Sequence, residues 1–242
     1  MTLPLFFCNE QFTQGATFQL TGDEGRHAAA VKRIRVGEFV DVTNGQGDRA
    51  TCETIAVKRD SLELVVRNVQ QEVQGFPRII VAQALAKGSR AELAIEILTE
   101  TGVDVIIPWS ATNSVVKWDD PTKAMTKWQR TILEATKQSR RAWLPELRPV
   151  HTTNELLGVI ADVDVAVVLH EAADVSVSAV DVANAQSVLI VVGPEGGISE
   201  NELVNFKQAG AHIVRMGSSV MRTSTAGGVA VGALLSRTNR WT

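Results

Sequence analysis

The sequence has few of the residues that build zinc sites, disulfide frameworks and membrane spans. Only two of its 242 residues are cysteines, Cys8 and Cys52, and neither stands at a metal-ligand spacing. We therefore expect no metal site and two reduced thiols. No segment approaches the ~20 consecutive apolar residues that a membrane helix needs. Met1–Phe7 also lacks the basic and long apolar regions of a secretory signal. These absences predict a cytoplasmic protein with no membrane partner.

Nucleotide-binding fingerprints are also missing. The chain contains no GxGxxG motif and no GxxxxGK[ST] motif, which disfavours an ordinary dinucleotide or nucleoside-triphosphate enzyme. Its hydrophobic content of 45% and charged content of 21% are those of a globular protein with a substantial core, built as one large domain or two small ones.

Charge is unevenly distributed along the chain. The formal net charge is only −3, but residues 123–148 carry seven Lys/Arg against two Glu, net +5. Residues 151–212 carry one Lys against nine acids, net −8, and residues 213–242 carry four Arg and no acid. A basic surface could bind phosphates although the total is negative. Charge alone favours the simpler interpretation, a solvated helix face.

The first 72 residues predict a small closed or nearly closed β-barrel. Short β-rich runs are separated by turn signals such as Asn44-Gly45 and Arg59-Asp60, with one short helix expected over 23–33. A polar stretch from Gln70 to Pro77 marks the predicted domain boundary. The expected strands are Leu3–Phe7, Thr17–Leu20, Glu38–Thr43, Ala50–Val57 and Ser61–Val69.

From Arg78 onward, apolar runs alternate with helical patterns. This order predicts an α/β domain whose mostly parallel sheet has helices on both sides. The expected strands are 79–85, 103–108, 163–169, 187–192 and 213–216, and the expected helices are 89–101, 121–141 and 153–160 together with one after each of the last two strands.

The two final strands each end in a glycine-bearing loop. The first loop follows a β-branched strand and contains Gly193, Gly196 and Gly197, and Ser199 with Glu202 forms a capping box for the next helix. The second loop, Met216–Thr225, also leads into a helix. Open α/β sheets bind ligands at this carboxyl edge. Three glycines within five residues favour a ligand site over a simple tight turn.

These loops resemble the cofactor loops of the SPOUT methyltransferases, and within them the RsmE family. The family's Gly-Pro-Glu-Gly-Gly loop is intact at 193–197, and Met216–Ala226 is similar to its Leu-Gly-x-x-(Val/Ile)-Leu-Arg-x-Glu-Thr-Ala loop. Departures from the family pattern are Met216 and Met221 for leucine, Ser224 for glutamate, and Asn113 for arginine. Further matches are Lys87-Gly88-Ser89-Arg90, Thr99–Val103, the 128–145 helix, and an N-terminal element with His27, Arg33, Arg35 and Gly37.

The resemblance implies a fold, a reaction and an assembly. The fold would be a PUA-like β-barrel RNA-binding domain over residues 1–72, followed by a SPOUT methyltransferase domain over 73–242 that contains a trefoil knot. The reaction would be transfer of a methyl group from S-adenosylmethionine to N3 of a uridine in 16S ribosomal RNA, either free or in an assembling small subunit. SPOUT domains generally pair as homodimers. The apolar run 226–235 and the helix after Arg90 are the candidate dimer surfaces.

The resemblance also implies the residues of the site. Arg222 is the expected catalytic residue, a fixed guanidinium beside the cofactor loop; a salt bridge to Glu195 is the alternative role. For His170, exposure at a strand end is an equally good interpretation. The expected cofactor-binding residues are Leu169, His170, Glu171, Gly193, Pro194, Glu195, Gly196, Gly197, Met216, Gly217, Ser218, Val220, Met221, Thr223 and Thr225.

Positive charges indicate where RNA would bind. Four cations fall within ten residues at 26–35, and others occur near the start of the α/β domain and in the long helix. Of the five tryptophans, four lie between 109 and 143, where core packing is favoured over base stacking. The expected RNA-binding residues are Arg26, Lys32, Arg33, Arg35, Lys87, Arg90, Lys137, Arg140 and Arg141.

Three other functions remain open on the sequence alone. The same fold could methylate another RNA position, such as a ribose hydroxyl. The chain could be a non-catalytic ribosome-assembly protein, or an unrelated α/β enzyme of small acidic metabolites. The base that removes the uridine proton is also open. Ser224 cannot act as that base at neutral pH, so the base lies elsewhere or is water.

Overall fold

The chain folds into two compact units in a computed structural model that describes residues 2–118 and 120–241. The outermost residues of the expected domains, Met1 and Thr242, lie outside the described residues. The first unit contains the residues up to Gln74 together with Thr136–Leu144, and the second contains Gly75–Ala135 and the residues from Pro145 onward. The long helix α3 (Pro121–Ser139) contributes to both units.

The first unit is built on a curled five-stranded sheet in the order β1-β3-β4-β5-β2. The antiparallel pairs β3–β4 and β4–β5 follow from the turns at 44–47 and 58–61. The strand β2 pairs antiparallel with β5 over a long sequence separation, and β1 pairs parallel to β3. Alternating apolar residues form a separate core around Phe6, Val40 and Leu64. The elements are β1 (Leu5–Phe7), β2 (Thr17–Leu20), α1 (Gly22–Arg26), β3 (Phe39–Thr43), β4 (Asp48–Val57) and β5 (Leu62–Gln71).

The second unit is an α/β domain with an entirely parallel set of strand pairs. The strand order is β11-β13-β10-β12-β6-β7-β8, and β9 also pairs with β7. The strands are β6 (Arg78–Ala84), β7 (Val105–Ser110), β8 (Glu146–Leu147), β9 (His151–Thr152), β10 (Val165–Leu169), β11 (Val175–Ser176), β12 (Ser187–Val192) and β13 (His212–Arg215). The other helices are α2 (Ser89–Glu100), α4 (Thr153–Asp162), α5 (Glu200–Gln208) and α6 (Thr223–Leu235).

The central strands β6, β7 and β12 are buried along most of their length. Because both faces of these strands are buried, their sequences are continuous apolar runs and do not alternate between apolar and polar residues. The predicted mostly parallel α/β sheet is confirmed. The knot is implied by the resemblance alone and stays a prediction.

The apolar run 226–235, a candidate dimer surface, is largely buried within its own chain. Nine residues of α6 are buried, because Gly227 and Gly228 let it pack closely on α2. A Cβ on Gly227 would lie 2.9 Å from the Leu98 side chain, and one on Gly228 would clash with Ile97. The run therefore mostly covers the core of its own chain, leaving Val229 as its large exposed residue, at 45%.

The segment 27–36 also differs from expectation. The predicted helix is split into α1 and a wider π-type turn at His27–Val31, and Arg33 has φ +56°. The apolar residues Val31, Ile34 and Val36 alternate with the cations of this segment, a pattern that predicts one packed face. Ile34 packs on the core, but Val31 and Val36 are 65% and 63% exposed. No helix in the described part of the chain is long and apolar enough to cross a membrane.

Candidate active site

A pocket opens where β10, β12 and β13 end at the carboxyl edge of the parallel sheet. Its volume is about 410 Å³, within the range of sites that hold small molecules and cofactors. Both glycine loops contribute to its wall, so the structure brings them together as the sequence predicts. The pocket is lined by Arg90, Leu169, His170, Glu171, Val192, Gly193, Pro194, Glu195, Gly197, Ile198, Met216, Gly217, Ser219, Val220, Met221, Arg222, Thr223 and Ala226.

The first loop uses its glycines in three different ways. A Cβ on Gly193 would lie 2.7 Å from the Ile198 side chain, so a close approach requires that glycine. Gly197 has open space around it but a φ of +74°, a backbone conformation that glycine adopts without strain. Gly196 does not line the pocket, contrary to expectation. A Cβ there would lie 2.8 Å from the carbonyl oxygen of Asn113, so Gly196 is required by a packing contact.

Asn113 holds this loop from outside the pocket. Its Nδ2 donates hydrogen bonds to the carbonyl oxygens of Gly196 and Gly197, at 3.3 and 3.2 Å. Asn113 stands where the resembling family usually has arginine. In this chain the position therefore acts through a neutral amide on the loop backbone.

Thr223 joins the two loops. Its hydroxyl donates to the carbonyl oxygen of Gly193 at 2.7 Å and accepts from the side-chain amide of Gln83 at 2.9 Å. Thr223 is only 8% exposed, so water does not compete strongly for these bonds. The second loop and the start of α6 are thus fixed to the end of β12.

Arg222 lies in the pocket wall immediately before α6, and its side chain is exposed. Among the described residues it forms no ion pair within 4.0 Å, so the alternative of a salt bridge to Glu195 is wrong for this conformation. Glu195 instead accepts a long hydrogen bond, 3.5 Å, from the backbone N–H of Lys87. The guanidinium donors of Arg222 are therefore available to a ligand.

The helix that follows the first loop is anchored by a buried carboxylate. The predicted capping box is present: Ser199 Oγ accepts from the Glu202 N–H, and Glu202 accepts from the Ser199 N–H. Glu202 is 2% exposed and also accepts from the Thr112 N–H and the Thr153 hydroxyl, both at 2.9 Å. Burial by itself would raise the pKa of Glu202, but the hydrogen bonds from Ser199, Thr112 and Thr153 outweigh it and lower that pKa.

Some of the predicted site residues lie outside the pocket, and some residues that line the pocket were not predicted. Ser218 is exposed, and the Thr225 hydroxyl donates a hydrogen bond to the Arg222 carbonyl at 3.2 Å. Ser224 is 4% exposed and does not line the pocket. Arg90, predicted to bind RNA, is in the pocket wall. Four lining residues were not among the individually expected cofactor-binding residues, although all four lie in or beside the two loops: Val192, Ile198, Ser219 and Ala226.

The predicted RNA-binding cations of the first unit fall into two groups. Arg26, Lys32, Arg33 and Arg35 are exposed, with Arg26 paired to Asp23. Lys137 is not a free surface cation, because its side chain is 10% exposed and pairs with Glu24 at 2.8 Å.

Arg140 and Arg141 follow α3, where Arg140 is exposed with φ +57° and Arg141 is half-buried. In the second unit Lys87 is exposed at the start of the α2 segment. No cluster of three or more His, Cys, Asp or Glu side chains that could hold a metal occurs in the described ranges.

The tryptophans mostly pack rather than stand free. Trp109 and Trp128 are 0% and 3% exposed, and each makes an edge contact with another ring. Trp143 donates to the Glu72 carbonyl at 2.8 Å. Trp241, at 52% exposed, is the exception.

Comparison with known proteins identifies relatives of both units. Residues 74–235 match the family model of an RNA methyltransferase domain, and residues 20–67 match that of an RNA methyltransferase PUA domain. The chain is 39% identical to ribosomal RNA small subunit methyltransferase E of Mycobacterium bovis, covering 100% of this chain and 94% of the relative. It is 32% identical to the Bacillus subtilis protein of the same name, covering 93% and 92%.

Solved structures agree with this assignment. A Legionella pneumophila protein assigned as a methyltransferase, solved with bound cofactor SAM, superposes with a TM-score of 0.90 at 26% identity, covering 98% of this chain and 99% of that one. A Neisseria gonorrhoeae ribosomal RNA small subunit methyltransferase E has the same fold, with a TM-score of 0.88 at 21% identity over 97% and 98% of the two chains. The chain belongs to the ribosomal RNA small subunit methyltransferase E family, as its two loops predict.

Proposed function

We propose that this protein transfers a methyl group from S-adenosylmethionine to N3 of a uridine in small-subunit (16S) ribosomal RNA. The observation that carries the proposal is the pocket at the carboxyl edge of the sheet, which both glycine loops line. Its wall also includes Arg222, which forms no ion pair with any described side chain. Family membership supports the substrate class. The target atom rests on the RsmE resemblance and on the acid–base chemistry of the uridine imide.

The residues of the pocket fit the proposed cofactor. The cavity of about 410 Å³ has a wall of glycine backbone and apolar side chains, including Leu169, Ile198 and Met216. Gly193 and Gly197 leave backbone groups uncovered by side chains, and such groups can bind a nucleoside and an amino-acid moiety by hydrogen bonds. When bound, S-adenosylmethionine supplies a methyl group already activated by its sulfonium. The protein then has to position the uridine and stabilise charge.

Arg222 is the proposed catalytic residue. Uridine N3 carries a proton and becomes a good nucleophile only when that proton leaves. The resulting negative charge spreads onto the two neighbouring carbonyl oxygens, where a fixed guanidinium would stabilise it. A preorganised donor of this kind typically contributes ~3–4 kcal/mol to lowering a barrier. Arg90, in the same wall, adds a second positive charge at the pocket.

The route of the proton follows from the groups available. A carboxylate base at position 224 is not available in this chain, since the residue is serine. Ser224 is also buried outside the pocket lining. The pocket does contain His170, Glu171 and Glu195. We assign proton removal to one of these three groups or to water, after Arg222 has acidified the imide.

The proposal extends to domains, partners and location. Residues 1–72 would serve as the PUA-like RNA-binding domain and 73–242 as the methyltransferase domain. The exposed cations Lys32, Arg33 and Arg35 would contact rRNA phosphates in the cytoplasm, where ribosomal subunits assemble.

We also propose that the protein is a homodimer. The helices α2 and α6 each expose one large apolar residue, Leu93 at 42% and Val229 at 45%. Light scattering at micromolar concentration should give twice the chain mass of 26.1 kDa. A monomer mass would contradict this proposal.

The decisive experiment maps methylated uridines in 16S rRNA by mass spectrometry. A strain that lacks the protein should lose one 3-methyluridine, which the wild-type gene restores and an Arg222→Ala gene does not. Loss of a methyl group at another atom, such as a ribose hydroxyl, would overturn the N3 assignment. An unchanged methylation map with no cofactor binding would favour a non-catalytic assembly protein. Absence of RNA affinity at low salt would favour a small-metabolite enzyme.

A further inference from the structure

Gln83 is a polar residue in an otherwise apolar, fully buried strand end. It is 0% exposed, and its neighbours Val81, Ala82 and Ala84 are also buried. It lies in register with Val192 of β12, the residue just before the first glycine loop. Burying an amide costs free energy unless its hydrogen bonds are replaced. A strand of this kind has no structural need for glutamine, because an apolar side chain of similar size would fill the same space.

Only one end of the Gln83 side chain is satisfied. Its Nε2 donates to the Thr223 hydroxyl at 2.9 Å and to the Ala84 carbonyl at 3.3 Å. Its Oε1 is buried without a hydrogen-bond partner, facing α6 where a Cβ on Gly227 would lie 3.7 Å away. The orientation of the amide is fixed by chemistry. Thr223 gives its single hydroxyl proton to the Gly193 carbonyl, so it can only accept from Gln83.

We infer that Gln83 is a positioning residue for the cofactor pocket and acts through Thr223. The chain of hydrogen bonds runs from the Gln83 amide to the Thr223 hydroxyl and on to the Gly193 carbonyl, so one buried side chain fixes the relative position of both loops. Arg222, the residue before Thr223, is set by the same contact. The buried Oε1 without a hydrogen-bond partner lowers the stability of the fold, and the chain keeps glutamine at this position despite that cost. The inference rests on the proposed function, since it assigns the pocket to the cofactor.

The test separates a positioning role from a structural one. Gln83→Leu keeps the volume and removes the unsatisfied oxygen, so the melting temperature should stay the same or rise. The Kd for S-adenosylmethionine, measured by calorimetry, should rise about tenfold, as expected for one buried hydrogen bond. RNA affinity should not change. A matched control is Thr54→Val in the first unit, which removes another buried polar atom that has no hydrogen-bond partner, the Thr54 hydroxyl; it should leave cofactor affinity unchanged.

A double-mutant cycle tests the link itself. Thr223→Val keeps the β-branched shape and removes the hydroxyl, so it should weaken cofactor binding to a similar extent. The double variant Gln83→Leu/Thr223→Val should bind no more weakly than Thr223→Val alone, because both changes remove the same link. Additive losses would overturn the inference. So would wild-type affinity in folded Gln83→Leu, or a fall in melting temperature with unchanged affinity of the folded protein. A wild-type protein that does not bind the cofactor would instead overturn the proposed function.

Discussion

Arg222 gains its position from its place before α6. Its carbonyl accepts hydrogen bonds from the Thr225 and Ala226 N–H groups, so the residue belongs to the helix start while its side chain stays exposed at the pocket. Arg222→Ala should lower kcat about 10²–10³-fold, the effect of losing one preorganised donor. Cofactor Kd should change little, because the charge that Arg222 stabilises develops only as the uridine ionises.

Two comparisons distinguish this catalytic role of Arg222 from a structural role in which it only supports the cofactor loop. Raising the pH should partly rescue Arg222→Ala, since hydroxide would help to remove the N3 proton. Glu195→Gln should not mimic it, since no ion pair joins the two residues. If Arg222→Ala weakens cofactor binding first, shows no rescue at high pH and is mimicked by Glu195→Gln, Arg222 is not catalytic.

Single residues also show the limit of prediction from sequence. The glycine spacing correctly indicated a loop that must come close to something, but at Gly196 the near neighbour is Asn113, 83 residues earlier in the chain, rather than a ligand. Gln83 was not predicted at all. A buried glutamine cannot be told from an exposed one until the strand pairing with β12 is known.

At the scale of elements, many strands and helices were predictable. The bounds of β2 and β12 agree with expectation, and α2 and α3 begin at the predicted residues and end within two residues of the predicted ends. The strand β12 is a continuous apolar run that ends at Gly193-Pro194, and α2 and α3 are long periodic runs. The strands β8, β9 and β11 have two residues each and no period to read. They are defined by pairing with β7 and β13, which only the tertiary fold supplies.

The capping box of α5 has a testable dependence on pH. The folded-state pKa of Glu202 lies below its ordinary value of 4.5. Its contribution to stability is therefore complete above that pH and is lost as the pH falls through the lowered value. Glu202→Gln should reduce the free energy of unfolding at pH 7 by about 1–3 kcal/mol, because buried donors lose their ionised acceptor. The difference in free energy of unfolding between Glu202→Gln and wild type should become smaller below about pH 4.5. Urea titrations at several pH values would measure it.

Helix α4 supplies a matched control. Thr152 and Glu155 form the same capping box there, and hydrogen bonds from Thr152 lower the pKa of Glu155 as well. Glu155 is exposed, so water can replace its partners. Glu155→Gln should therefore destabilise the protein less than Glu202→Gln, with the same sign of pH dependence. Equal effects of the two substitutions would contradict the importance of burial at Glu202.

At the scale of the whole molecule, the end of the chain is tied into the α/β unit by an ion pair. Arg240 contacts both carboxylate oxygens of Asp104, at 2.5 and 3.0 Å, and donates to the carbonyls of Pro77 and Gly102, each at 2.7 Å. The two side chains are 13% and 2% exposed. Arg240→Ala should lower the free energy of unfolding by about 3–5 kcal/mol, because the buried Asp104 carboxylate loses its positively charged donor and keeps hydrogen bonds such as that from the Ile79 N–H.

Denaturant titration of three variants measures this effect. Arg240→Lys keeps the charge but cannot form the bidentate contact with the carboxylate. Its loss of unfolding free energy should therefore be smaller than that of Arg240→Ala. Arg148→Ala removes an ion pair to Glu146 whose side chains are 31% and 47% exposed, and it should cost no more than about 1 kcal/mol. If Arg240→Ala costs no more than Arg148→Ala, the terminal segment does not contribute to stability in this way.

Net charge conceals the surface on which RNA recognition would depend. Although the chain carries −3 overall, the segment 31–36 of the first unit exposes three cations together with the apolar side chains of Val31 and Val36. Reversing Lys32, Arg33 and Arg35 to glutamate should weaken binding to small-subunit rRNA. The slope of log affinity against log salt should become shallower by about 0.7–0.9 for each phosphate that the variant no longer neutralises.

The matched control uses the β4–β5 turn of the same sheet. Lys58 and Arg59 are exposed there, and Lys58→Glu/Arg59→Glu changes the net charge in the same direction without altering residues 31–36. A filter-binding salt series on both variants, with calorimetry for S-adenosylmethionine, separates the possibilities. We expect the variant with Lys32, Arg33 and Arg35 reversed to have a lower RNA affinity, a weaker salt dependence and an unchanged Kd for S-adenosylmethionine. The control should lose little RNA affinity. Equal losses of RNA affinity would mean that only net charge matters. Loss of cofactor binding would mean that these residues support the fold.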